Sequence, residues 1–204
     1  MKTRTKALLL VMSALLLVVS TVFATMAYLT SSVKITNTFT VGNVTITMDE
    51  TDVNAYGDSN GTRSANGNQY KLIPGHRYIK DPIIHVVAGS EECYLFVKLE
   101  DGLADIQDAD TIATQMVAAG WEKVSSATNV WVYTKTATHT VDARNEAKDV
   151  PLFTYFKLLG TADVASYGSA NITVQACAIQ ADGFPTWNDA WTTGLSSTFP
   201  TVSP

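Results

Sequence analysis

The chain has 204 residues, 46% hydrophobic and 16% charged, with a net charge of −5. That length suits one main domain with a sizeable core, and the composition excludes a disordered chain. Three of the 14 basic residues (Lys2, Arg4 and Lys6) lie in the first six positions, so the rest carries 11 basic residues against 19 acidic ones. Phosphate backbones are bound by Lys and Arg, so an acidic body of this kind sets nucleic-acid binding aside.

Residues 1–27 read as an export signal. A basic start is followed by an apolar run from Ala7 to Val19 and then by smaller, more polar residues. Thr25 and Ala27 are the small residues at the two positions a signal peptidase reads, so cleavage is expected after Ala27. The expected product is a secreted domain, 28–204, tied to a membrane only while the signal remains uncut. A permanent anchor is the competing reading, because nothing charged lies between Lys6 and Lys34. Ser13, Ser20, Thr21 and Thr25 dilute that stretch, and no basic cluster follows it.

In the segment 28–41, Val33, Ile35, Phe39 and Val41 share one parity, while Lys34, Thr36, Thr38 and Thr40 share the other. Such alternation predicts a half-buried strand. After Gly42-Asn43 the parity flips to Val44, Ile46 and Met48, as a bulge or tight turn would require. Residues 51–68 are polar and rich in Gly and Asn, and are expected as an exposed loop. Pro74-Gly75 predicts a turn, Ile83–Val87 a strand, Ala88-Gly89-Ser90 another turn, and Cys93–Leu99 a strongly apolar strand. Asp108 to Gly120 predicts the internal helix, capped by Asp108 or Asp110, with Ile112, Met116 and Ala119 on one face and Gly120 at its end. Further strands are expected at Val130–Lys135, His139–Asp142, Leu152–Lys157 and Asn171–Gln180, with a short helix near Trp187 and Trp191. Eight or so short strands with one short internal helix predict an all-β, jelly-roll-like β-sandwich behind the signal-peptide helix.

Several stretches together resemble the TasA/camelysin-type group of proteins, exported through a SipW-type signal peptidase. They are Ala24-Thr-Met-Ala-Tyr-Leu-Thr30 with Asn37-Thr-Phe-Thr-Val-Gly42, then Lys71-Leu-Ile-Pro-Gly75, Lys80-Asp-Pro82 and Gly89-Ser90, and finally Val174-Gln-Ala-Cys-Ala-Ile-Gln-Ala-Asp-Gly-Phe184. The resemblance implies a jelly-roll-like subunit of a biofilm or extracellular-matrix fibre, partnered by itself or a related matrix subunit. In such relatives the first mature strand leaves its own subunit and completes the sheet of the next. The matching segment here is 28–41, with Val33, Ile35, Phe39 and Val41 as the inserted side chains. An ordinary first strand within its own domain is the alternative.

The group also includes a metallo-endopeptidase, so an enzyme reading has to be weighed. Zinc proteases bring two histidines one helical turn apart with an acid between them. His76, His85 and His139 are too widely spaced for that, and His85 sits in an apolar strand pattern. No catalytic, cofactor or metal residues are therefore assigned. Trp121, Trp131, Trp187 and Trp191 supply a third reading, a carbohydrate-binding or adhesive face, although their scatter fits packing better. Cys93 and Cys177 both fall in predicted apolar strands. They either staple two strands by a disulfide, which export permits, or remain free thiols.

Overall fold

The computed structural model describes residues 3–29 and 43–200. It divides into two compact units, residues 1–40 and 41–204. In the first, α1 (Thr3–Leu29) is helical through the expected signal. Among its described side chains Leu8, Leu9, Leu10 and Leu15 to Leu17 are all exposed.

The second unit is mostly antiparallel sheet. Its strands are β1 (Ile46–Val53), β2 (Ser59–Ser64), β3 (Arg77–Ile79), β4 (Ile83–Val86), β5 (Cys93–Asp101), β6 (Trp121–Lys123), β7 (Val130–Tyr133), β8 (Lys148–Pro151), β9 (Tyr155–Lys157) and β10 (Ile172–Gln180). One sheet has the order β2-β1-β4-β8, a second β10-β5-β7-β6, and β3 and β9 form a two-stranded sheet. The main core draws Ile84, Val86 and Val150 from the first sheet and Leu95, Val97 and Trp131 from the second. A smaller cluster lies on the other face of β5, where Tyr94 and Phe96 meet Val130, Val132, Ala190 and Trp191. Both faces of β5 are thus covered, which explains its unbroken apolar run from Cys93 to Val97.

The internal helix is α2 (Ile112–Ala119), which buries Ile112 and Met116. Its cap is Thr111, whose Oγ1 accepts from the Thr114 amide at 3.2 Å, and not Asp108 or Asp110. Those two carboxylates are held by other partners: Asp108 by Lys157 at 2.7 Å, and Asp110 by Tyr155 and Thr114. Gly120 closes the helix at φ +99° and returns its amide to Met116 and Val117.

The expected loop at 51–68 is corrected. β1 runs on to Val53, and β2 returns beside it across a turn closed by Asn54, whose Oδ1 accepts from the amides of Tyr56 and Asp58. The segment is exposed but paired, because an edge strand facing water needs no apolar parity. The strand expected at Leu152–Lys157 also shifts. Lys148–Pro151 and Tyr155–Lys157 join different sheets, with buried Leu152 and Phe153 at the crossing. His139–Asp142 makes only a bridge, Val141 to Cys93. The tail forms a short turn, α3 (Trp187–Asp189), continued by a wider helical turn at Ala190–Gly194.

Candidate functional site

Thr25 and Ala27 lie within α1. The expected donor residues Val33, Ile35, Phe39 and Val41 lie outside the described residues.

β10 is nine residues long and, among the described residues, pairs only with β5. Its inward side chains Ile172, Val174, Ala176 and Ala178 pack on the main core, yet each is only partly buried. Across from them Val44, Ile46 and Met48 are also only partly buried, whereas every residue from Cys93 to Val97 is closed off. Among the described residues the shared core is therefore only half-covered along one seam. A hollow of ≈ 660 Å³ lies there between Tyr70, Leu72, Phe156, Tyr167 and Ile172. A second of ≈ 220 Å³ lies between Met48, Glu50, Ser64, Ile172 and Val174. Lys80 and Glu50 join at 2.6 Å on the floor of the seam, both more than nine-tenths buried, and Asn68 donates to the same carboxylate at 3.0 Å.

The sequence marked Lys80-Asp81-Pro82 without giving its purpose. Asp81 accepts from the amide and hydroxyl of Thr51 at 2.8 and 2.9 Å and holds Arg63 at 2.7 Å, while the Pro82 carbonyl accepts from the Leu152 amide. This tripeptide thus ties β1, β2 and the β8–β9 crossing together. Pro74-Gly75 forms its turn with Gly75 at φ +75°.

The two cysteines do not bridge, and the disulfide alternative is corrected. Cys93 pairs with Gln180 and Cys177 with Phe96, so the thiols sit three positions apart along one ladder. An odd offset puts them on opposite faces of the sheet, about 10 Å apart along the strands, too far for an S–S bond. Both are free. Burial pushes the Cys93 thiol up to about 12.

The histidines lie apart. His76 Nε2 contacts the Tyr56 carbonyl at 2.7 Å, and His139 sits in an exposed turn at φ +58°. His85 lies on β4 between two acids, with Nδ1 2.6 Å from Asp149 and Nε2 3.1 Å from Asp49. The second contact is close but too poorly aligned for a full hydrogen bond. Asp149 holds the imidazolium and raises its pKa against the opposing effect of burial, with Asp49 adding to the rise. Among the described residues no three His, Cys, Asp or Glu side chains converge to hold a metal ion.

Trp121, Trp131 and Trp191 are buried, and only Trp187 is partly exposed. Two further hollows, of ≈ 630 and ≈ 530 Å³, share the Arg144–Glu92 pair; the first also holds Asp142 paired with Arg144, and the second is lined by Tyr94, Phe184 and Trp187 as well.

No protein-family model, curated protein or solved structure matches the chain.

Proposed function

We propose that this chain is a secreted, non-catalytic structural protein, a jelly-roll-like β-sandwich that assembles through its N-terminal strand into an extracellular fibre. It stands close to the TasA/camelysin-type group in this reading. A SipW-type peptidase frees Tyr28, and the segment 28–41 joins another copy or a related matrix subunit.

The observation that carries this reading is the half-covered seam. A core drawn from two sheets is left half-covered beside β10, and the chain also carries an alternating apolar segment suited to cover such a border. Strand addition supplies main-chain hydrogen bonds along an open edge and buries alternate side chains.

Replacing Ile35 with Asp tests it. A carboxylate driven into an apolar slot costs several kcal/mol, on the order of 2–7 for an unpartnered polar group. Purified mature protein should form pelletable polymer, and Ile35→Asp should stay in the supernatant with unchanged circular dichroism. Equal pelleting of both would contradict the reading.

A further inference from the structure

We propose that Asn66 is a site of spontaneous covalent modification, where the folded chain converts its side-chain amide to a carboxylate through a ring closed onto the Gly67 nitrogen. This chemistry does not depend on fibre formation.

The Gly67 backbone nitrogen gives up its proton and attacks the carbonyl carbon of the Asn66 side chain. The new C–N bond closes a five-membered imide, and ammonia leaves. Water then opens the imide at either carbonyl. One opening leaves aspartate at position 66, and the other leaves isoaspartate, whose main chain runs through the former side chain. Water enters, ammonia departs, and nothing is oxidised or reduced. Ring closure needs the nitrogen brought against the carbonyl carbon, so its rate follows local geometry. Glycine in the following position favours it, because no Cβ obstructs the approach and the backbone turns freely.

Asn-Gly occurs twice in the sequence, at Asn60-Gly61 and Asn66-Gly67. The fold separates them. Asn60 and Gly61 lie inside β2, between the pairings of Ser59 with Val53 and of Arg63 with Thr51. The Gly61 amide donates to Ser59 Oγ at 3.0 Å, and the Thr62 hydroxyl donates to Asp52 at 2.7 Å. That nitrogen is therefore engaged and its flanks are fixed. Asn66 and Gly67 lie beyond the end of β2, and both are exposed. Among the described residues neither the Asn66 side chain nor the Gly67 amide enters a hydrogen bond. A Cβ added at Gly67 would meet nothing within 4 Å, so the pair has room to rearrange.

Both sides of this free link are anchored. Ser64 pairs with Glu50 in the ladder. Asn68 donates to Glu50 at 3.0 Å and to the Thr51 carbonyl at 2.8 Å, and its Oδ1 accepts from the Val53 amide at 3.0 Å. Its side chain is fully engaged, which protects it. The product carboxylate joins the rim of the ≈ 220 Å³ hollow, where Asp49 and Glu50 already lie beside Lys80.

Peptide mapping by mass spectrometry, on purified protein aged at mildly alkaline pH, is the test. Trypsin cuts after Arg63 and so places the two asparagines in separate peptides. The peptide holding Asn66 should gain about 1 Da, as aspartate and isoaspartate, roughly tenfold faster or more than the peptide holding Asn60. In urea-unfolded chain the two rates should come within about threefold, because both then share the same step with the same freedom. Gly67→Ala should slow conversion at Asn66 roughly tenfold and leave circular dichroism unchanged. Position 67 has open space and no left-handed backbone to disturb. Equal rates in the folded protein, faster conversion at Asn60, or none at Asn66 would overturn the proposal. So would a rate difference that persists in urea, since it would assign the choice to local sequence and not to the fold.

Discussion

His85 lies between Asp149 and Asp49, and Asp49 in turn meets Arg63 at 2.7 Å, so one line of charge crosses β8, β4, β1 and β2. Both ring nitrogens face carboxylates, an arrangement that only the imidazolium satisfies.

This line sets a pH dependence. The folded pKa of His85 is raised, so its stabilisation is complete below the ordinary histidine value and is lost as pH rises through the folded value. Asp49 acts on the acid side. Burial pushes its pKa up, but the hydrogen bond from Arg63 and the nearby positive charges of Arg63 and His85 outweigh that and lower it, so its contribution is lost as pH falls. Arg63 stands behind Asp49 and keeps its charge across the neutral range. Thermal melts should decline from about pH 6.5 upward by an amount on the order of 1 kcal/mol, given partial exposure. His85→Gln should flatten that arm, and an unchanged slope would remove His85 as its cause.

The Lys80–Glu50 pair should be costly to break from one side. Lys80→Met leaves a buried carboxylate facing only Asn68 and should lose about 3–5 kcal/mol in urea unfolding. The double change with Glu50→Gln should recover part of that loss.

Gly120 has no room for a side chain. A Cβ there would meet Lys135 Cβ at 2.4 Å, and φ is +99°. Gly120→Ala should destabilise by about 1–3 kcal/mol in the same assay.

The thiols give a chemical check. Titration of unfolded chain should count two thiols per molecule with no prior reduction, and native Cys93 should be nearly inert to alkylation. A mass two hydrogens short in non-reduced protein would refute the placement of β5 against β10.

Much of the body was legible because packing writes itself into local pattern. Cys93–Leu99 and Ile172–Gln180 read as strands since one is buried on both faces and the other carries inward Ile172 and Val174. Gly120 read as a helix stop because the αL position needs glycine. β2 did not read, since an edge strand of Ser, Asn, Gly, Thr and Arg has nothing to bury. Thr111 lost the cap to Asp108 and Asp110 in the sequence, because Lys157 and Tyr155, which draw those acids away, lie some 45 residues on. The half-covered seam was not legible either. It depends on which strand ends a sheet, and order within a sheet is a long-range property. The line through His85 joins four strands and is hidden for the same reason.

The central claim is assembly through the N-terminal strand. Negative-stain electron microscopy of mature protein starting at Tyr28, beside protein lacking residues 28–41, tests it most directly. Fibres from the first and isolated particles from the second are expected. Fibres from both, or from neither, would contradict it.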